Sequence, residues 1–309
     1  MELMKRVWVV ILLVAAITPL LGRKVEAQDT TLKVSVDLVN VQFSVTDRRG
    51  RFVPGLHAQD FTVQEDGKRQ EIRHFARENE LPLTIGLLID TSPSVRNVFD
   101  EEKVTAVRFL NSILRPNDLA MIVGFDRSVT LFQDFTDKAR LLKAGIDALE
   151  IGGGTSLYDA VYLACNDKLH SEAGRKTIIM ISDGEDTTSK TKFYESLIAA
   201  HQTETVIYAI SNATRGLLYR GRVGGGDPST LKKFAEETGG GAFFIDGKTS
   251  FEKIFEQIAA ELRSQYSIGY VSTNTTKDGK FRQIRIVPRD SSFIVKTRKG
   301  YYAAKDPGR

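Results

Sequence analysis

The chain has 309 residues, of which 41% are hydrophobic and 27% charged, and its formal net charge at pH 7 is +4. These values are typical of a globular protein that buries a core, and the length allows two domains. The only cysteine, Cys165, excludes a disulfide within the chain. It falls on an apolar stripe with helical spacing, which predicts a buried thiol.

The N-terminal segment, residues 1–27, has the pattern of a secretory signal peptide. Lys5 and Arg6 precede an apolar stretch over 7–21, and small residues for cleavage lie before Gln28. We therefore expect an exported protein, either periplasmic or extracellular at the cell envelope. The stretch is shorter than the roughly 20 residues of a spanning helix. Because basic residues also follow it, a retained N-terminal membrane anchor stays open as the alternative.

Removal of this segment takes away four basic and two acidic residues, so the formal charge falls from +4 to +2. A nearly neutral mature protein argues against a nucleic-acid partner and against a polybasic membrane anchor.

After the signal segment, residues 28–80 have the alternation of short antiparallel strands. Alternating residues cover 32–45, and a further strand covers 61–65. The tetrapeptide Glu-Asp-Gly-Lys then predicts a hairpin turn that leads into a partner strand over 70–75. So few strands are marginally stable without another face to pack against.

From residue 81 to residue 263, buried-strand runs alternate with amphipathic helical segments, the last of them over 250–263. This alternation predicts a doubly wound, mostly parallel α/β sheet, in which ligands bind beyond the carboxyl ends of the strands. The predicted strands cover 83–89, 119–125, 129–132 at an edge, 177–181, 205–210 and 242–245.

The last segment, 264–309, returns to strand character over 265–271, 281–287 and 293–297. Three strands are again too few, so we expect them to pair with those of 28–80. The α/β domain, 81–263, would then be inserted in a small antiparallel β-sandwich formed by the two flanks. Separately folded flanks are the alternative.

The strand LTIGLLID ends in a carboxylate that two hydroxyls follow at alternate positions, namely Asp90, Ser92 and Ser94. Pro93 restrains the backbone between the serines, so the three oxygen donors can face one point. Mg²⁺ prefers oxygen ligands and keeps several waters, which fits such a partial shell. The same residue types also make ordinary turns, so this loop alone leaves both interpretations open.

Two later loops add matching donors, Thr155 in GGGTSLYDA and Asp183 in ISDGED. With DTSPS, these motifs resemble the metal-ion-dependent adhesion site of the von Willebrand factor type A (VWA) domain. The resemblance implies that Ser92, Ser94 and Thr155 contact a metal directly. It also implies that Asp90 and Asp183 act through water or by hydrogen-bonding the hydroxyls.

A looser resemblance extends to the flanks. The segments GLHAQDFTVQEDGKRQEIRHF and RKGYY look like those of the exported VWFA-related acidobacterial subfamily. The biochemical role of that subfamily is largely unassigned. The resemblance therefore implies a domain type and a compartment without naming the ligand.

A metal held mainly by hydroxyls keeps much of its positive charge, so an open coordination position attracts a carboxylate from another molecule. We therefore expect a protein-binding or adhesion module, not an enzyme. Its cofactor would be Mg²⁺, or Mn²⁺ or Ca²⁺, and its partner a protein that offers an Asp or Glu. The glycine-rich stretch 212–227 carries Arg215, Arg220 and Arg222, either as a basic lip for that partner or as a solvated loop.

Two other functions remain as alternatives. A metal-dependent phosphohydrolase-like enzyme could place an Asp beside Mg²⁺, but the general acid expected two residues after Asp90 is replaced by Ser92. No Gly-x-Ser-x-Gly nucleophile motif occurs. The other alternative is a structural envelope scaffold that works without metal.

Overall fold

A six-stranded sheet and two four-stranded sheets make up the structure, a computed structural model that describes residues 38–77, 81–211, 226–245 and 249–305. The predicted signal peptide over 1–27 and the arginines of the predicted basic lip lie outside these ranges. The described residues all lie within one structural unit. None of the helices in these ranges combines the length and apolarity needed to cross a membrane.

The strands, in chain order, are β1 (Leu38–Thr46), β2 (Phe61–Glu65), β3 (Lys68–Gln70), β4 (Ile72–Arg77), β5 (Leu83–Asp90), β6 (Leu119–Phe125), β7 (Val129–Thr136), β8 (Arg175–Ser182), β9 (Val206–Ser211), β10 (Ala242–Phe244), β11 (Tyr266–Val271), β12 (Phe281–Pro288), β13 (Ile294–Thr297) and β14 (Gly300–Tyr302). The α-helices are α1 (Phe99–Ile113), α2 (Ala139–Asp147), α3 (Leu157–Leu163), α4 (Phe193–Gln202), α5 (Pro228–Thr238) and α6 (Phe251–Leu262). A π-helical turn, Ala164–Lys168, extends α3.

The central sheet has the order β10-β9-β8-β5-β6-β7, with β7 antiparallel at one edge. Its strands form because their apolar runs are covered on both faces, and β5 is buried at every position. One face packs against α1, α2 and α6, where Phe109 stacks on Phe255 with ring centroids 4.5 Å apart. The other face packs against α3, α4 and α5, with Val161 and Phe234 in its core.

Strand order reverses at β5, which lies between β8 and β6. The parallel register pairs Ile89 with Ile181, so the carboxyl ends of β5 and β8 meet at the same edge. Loops that follow these strands therefore converge where doubly wound folds bind ligands. The predicted fold class is confirmed.

The two antiparallel sheets have the orders β13-β1-β11-β4 and β14-β12-β2-β3, so each combines strands from both flanks. Val41 pairs with Ile268 in the first sheet, and Val63 pairs with Ile286 in the second. Their facing sides share one apolar core. Neither flank could bury this core alone, and the α/β layer is inserted between them in sequence. The domain boundaries at residues 80 and 263 stay predictions.

The predicted partner strand over 70–75 is wrong as a single strand, because it divides between the two sheets. Its start, β3, pairs with β2, whereas β4 pairs with β11 in the other sheet. The chain crosses after Gln70, a buried side chain whose amide donates to the hydroxyl of Thr273 at 3.0 Å. Strands that bend from one sheet to the other are a usual way to close the corner of a sandwich. The three-residue strand β14 was too short to show alternation.

Two ion pairs join the sandwich to the α/β layer. Glu261, near the end of α6, lies 2.6 Å from Lys296 and accepts a hydrogen bond from Ser44 at 3.1 Å. Arg298 donates to the carbonyl of Asn40 at 2.6 Å and to Glu204 at 3.0 Å. Both pairs connect the first antiparallel sheet, or the turn that follows it, to the α/β layer.

Candidate metal centre

Asp90 ends β5 as a fully buried carboxylate. Its Oδ1 accepts a hydrogen bond from the backbone N–H of Ser92 at 2.8 Å, and its Oδ2 accepts one from the hydroxyl of Ser182 at 2.7 Å. The pKa of this carboxyl is raised to about 6. Burial is the main cause and the nearby charge of Asp183 adds to it, whereas the hydrogen bonds from Ser182 and Ser92 act in the opposite direction. The side chain is thus held in place by two neighbouring strands.

The first loop, which follows this carboxylate in the chain, brings two hydroxyls together. A 3-10 turn over Pro93–Val95 follows Ser92, and the fixed φ of Pro93 suits its first position. The Oγ atoms of Ser92 and Ser94 lie 2.8 Å apart. Ser92 is 3% exposed, whereas Ser94 is exposed to solvent. One hydroxyl therefore lies inside the site and the other faces an approaching ligand.

The second loop, 151–156, is tied to both of its neighbours. The N–H of Gly152 donates to the carbonyl of Thr91 at 2.8 Å. The N–H of Thr155 donates to the hydroxyl of Thr187 at 2.9 Å, and the carbonyl of Thr155 accepts from the N–H of Thr187 at 2.8 Å. A Cβ on Gly152 would lie 1.6 Å from Oδ2 of Asp126, so this close approach requires glycine. These bonds fix the backbone around the buried Thr155.

The third loop begins at Asp183, which is 7% exposed and accepts a hydrogen bond from the N–H of Glu185 at 3.0 Å. Gly184 follows with φ of +88°, and its N–H donates to Ser182 Oγ at 3.0 Å. A Cβ on Gly184 would also lie 2.2 Å from the carbonyl oxygen of Asp227. Only glycine fits this turn without strain.

Ser182 is a residue of the site that the motif did not include. It is fully buried, donates to Asp90 and accepts from Gly184, so it links the first and third loops. The available sequence signal was a hydroxyl that ends an apolar run, directly before Asp183.

The oxygen donors of this site are better explained with a bound hard cation than with a buried carboxylate that has no counter-ion. The groups that perturb Asp90 include no cationic side chain, and a buried carboxylate without a cation is costly. No group of three or more His, Cys, Asp and Glu able to hold a metal occurs in the described ranges. Any cation here would therefore depend on hydroxyl donors as well as on Asp90 and Asp183. Hydroxyl and carboxylate oxygens are ligands suited to Mg²⁺, Mn²⁺ or Ca²⁺.

Asp186, which ends the ISDGED motif, and Cys165 both have contacts that indicate a structural role. Asp186 accepts hydrogen bonds from the N–H of Tyr158 at 3.1 Å and from the hydroxyl of Ser189 at 2.5 Å. Cys165 is buried in the core, and burial raises the pKa of its thiol to about 12. A thiol in such surroundings is not a nucleophile near neutral pH.

The α/β layer is doubly wound and carries three hydroxyl-bearing loops where its strand order reverses. This arrangement assigns it to the class of Rossmann-like folds. Residues 85–185 match the family model of the von Willebrand factor type A domain. The α/β layer is therefore a VWA domain, and the acidobacterial subfamily stays a prediction.

Solved structures show the same fold at low sequence identity. A von Willebrand factor type A protein from Catenulispora acidiphila is 11% identical, with a TM-score of 0.50 over 80% of this chain and 74% of that chain. Proximal thread matrix protein 1 from the mussel byssus is 17% identical, with a TM-score of 0.50 over 70% of this chain and 51% of that chain. Another structure of the mussel protein, with a zinc-occupied metal-ion-dependent adhesion site, is 18% identical over 63% of this chain and 48% of that chain, with a TM-score of 0.50. Curated protein sequences give no match.

Proposed function

We propose that this protein is an exported binding module in which a divalent cation grips an acidic residue of a protein partner. Ser92, Ser94 and Thr155 would bind the cation directly, and Asp90 and Asp183 would act through water or through the hydroxyls. The observation that carries this proposal is the buried Asp90 carboxylate, for which the described part of the chain offers no cationic partner, together with the two serine hydroxyls 2.8 Å apart in the loop that follows it.

Few anionic ligands would leave such a cation electrophilic, so that its open position attracts a carboxylate. Turnover has less support, because hydrolysis needs an acid or base positioned near the reacting group. Ser92 occupies the position where a phosphohydrolase of this type would carry its acid, and Asp186 already accepts hydrogen bonds from Tyr158 and Ser189. Binding without catalysis is therefore the better account of these residues.

The mussel protein supports the cation, because its zinc-occupied site belongs to the same fold. For this chain we propose Mg²⁺, with Mn²⁺ or Ca²⁺ as substitutes, since oxygen donors suit these ions. The signal-peptide pattern supports export to the periplasm or the cell surface. Contact with a membrane would follow only if the N-terminal segment is retained as an anchor, and the charge balance supports no nucleic-acid partner.

The first test is calorimetric titration of the purified protein with Mn²⁺ and Mg²⁺. The double variant Ser92→Ala, Ser94→Ala should lose binding while its circular dichroism spectrum is unchanged. The matched control is Ser112→Ala, Ser264→Ala, because the first hydroxyl donates to a carbonyl of α1 and the second to a carbonyl of α6, and it should bind normally.

If the wild type binds neither ion, the titration is repeated with acetate present, because the cation can need a ligand carboxylate to complete its shell. Failure under both conditions would refute the metal-dependent module and favour a metal-free scaffold. Binding that survives in Ser92→Ala, Ser94→Ala would place the cation elsewhere.

A further inference from the structure

The loops around the candidate metal centre have exposed charged side chains that are all of the same sign. We define the rim as residues 91–98, 126–128, 151–156 and 183–192. The charged side chains of the rim that are exposed are all cationic, and they are Arg96, Arg127, Lys190 and Lys192. Three rim carboxylates, Asp126, Glu185 and Asp186, are half-buried, and Asp126 and Asp186 accept hydrogen bonds within their own loops.

Two of these cations lie next to the first and second loops of the site, one beside each. Arg96 lies two residues beyond Ser94, and its N–H donates to the carbonyl of Pro93 at the end of the same 3-10 turn. The Cα of Arg127 lies 3.6 Å from the position of a Cβ on Gly154, the residue before Thr155. Arg96 therefore follows the loop that bears Ser92 and Ser94, and Arg127 lies on a separate loop that packs beside the one bearing Thr155.

The backbone beneath Arg127 is held firmly. The carbonyl of Arg127 accepts a hydrogen bond from the hydroxyl of Ser156 at 2.9 Å, and Asp126 Oδ1 accepts one from the N–H of Ser128 at 2.8 Å. Neither Arg96 nor Arg127 forms an ion pair with another residue in the described ranges. Within these ranges no carboxylate neutralises either guanidinium group, so both charges remain for an acidic ligand.

We propose that Arg96 and Arg127 bind a second carboxylate of the ligand, so that the partner segment presents two acidic residues close together. This inference rests on the proposed function, in which the cation takes the first carboxylate. Guanidinium groups suit the task because they remain charged and pair with carboxylates in a two-pronged geometry. In an extended segment, acidic residues two positions apart point the same way and lie about 7 Å from each other.

The test compares two peptides with blocked ends, both containing two aspartates, in the presence of saturating Mn²⁺. In DGD one glycine separates the aspartates, whereas in the control peptide eight glycines separate them. The DGD peptide carries seven further glycines after its second aspartate, so peptide length, charge and the number of carboxylates are equal and only the spacing differs. We expect the wild type to bind DGD about fivefold more tightly, as two exposed ion pairs allow. The preference should shrink in high salt.

The double variant Arg96→Gln, Arg127→Gln should bind both peptides equally while its Mn²⁺ affinity is unchanged. The matched control Arg108→Gln, Arg140→Gln removes two exposed arginines outside the rim and should keep the preference. Equal binding by the wild type, or a preference that persists in Arg96→Gln, Arg127→Gln, would overturn the inference and leave the proposed function standing. If no peptide binds in Mn²⁺, or if chelation leaves peptide binding unchanged, the proposed function fails and the inference fails with it.

Discussion

The hydroxyl of Ser182 lies 2.7 Å from Oδ2 of Asp90 and joins the carboxyl ends of the neighbouring strands β8 and β5. Ser182 also accepts the N–H of Gly184, so the orientation of Asp90 depends on the turn of the third loop. Residues that hydrogen-bond to a metal ligand and orient it affect the metal affinity nearly as strongly as the ligands themselves. The candidate site is therefore larger than its five motif residues.

Replacement of Ser182 by Ala should weaken Mn²⁺ binding about tenfold, because Asp90 loses the donor that holds its Oδ2. Stability should fall by about 1–2 kcal/mol, since a buried carboxylate oxygen loses its hydrogen bond. Calorimetry and urea unfolding measure the two effects. Ser196→Ala is the matched control, because Ser196 is equally buried and donates to Phe193 within α4. Unchanged Mn²⁺ affinity in Ser182→Ala would remove Ser182 from the site.

Gly184→Ala should destabilise the protein by about 2 kcal/mol or more. Gly184 has φ of +88°, and the added Cβ would lie 2.2 Å from a backbone oxygen that cannot easily move. Gly153→Ala is the matched control, because a Cβ there meets nothing within 4 Å, and it should change stability by less than about 0.5 kcal/mol. Thermal and urea unfolding measure the stability of both variants. If Gly184→Ala is as stable as Gly153→Ala, the third loop adopts another turn.

The central sheet was predictable because its strands are apolar on both faces and its helices carry one apolar stripe. The strand predicted over 119–125 appears in the structure with these bounds, and the helix predicted over 250–263 appears as Phe251–Leu262. The motif positions were also predictable, since each follows the carboxyl end of a strand or a glycine-rich turn. Local periodicity and spacing carry this information directly.

Other features depend on contacts between distant segments, and local patterns do not contain them. At the crossing, Gln70 hydrogen-bonds to Thr273, some two hundred residues later. The role of Ser182 depends on the register between β8 and β5, because a serine at a strand end has no distinctive signal. Arg96 is close to Ser94 in the sequence itself, whereas Arg127 becomes a neighbour of the second loop only when the fold brings the two loops together.

The Glu261–Lys296 pair should contribute measurably to the junction between α6 and the sandwich. Glu261 is 4% exposed, so Lys296→Met would leave a buried carboxylate with hydroxyl donors alone. Because the Lys296 side chain is 38% exposed, we expect a loss of about 1–2 kcal/mol. A double-mutant cycle with Glu261→Gln isolates the coupling.

The matched control is the exposed pair Lys232 and Glu236, whose atoms lie 3.7 Å apart. The same cycle there should give about 0.3 kcal/mol. Equal coupling energies for the two pairs would mean that burial of Glu261 adds nothing to the junction.

His201 should make the protein less stable as the pH falls from about 6.5 to about 4. The pKa of this imidazole is lowered to about 4. Burial is the main cause and the charge of Arg298 adds to it, whereas a hydrogen bond to the backbone of Gly300 acts in the opposite direction. In this window the unfolded chain binds the proton and the folded protein does not, so acid favours unfolding by up to about 3 kcal/mol. Urea unfolding across this range should show a flatter profile for His201→Gln, whereas His57→Gln, at an exposed position, should follow the wild type. Identical profiles for the wild type and His201→Gln would contradict the shift.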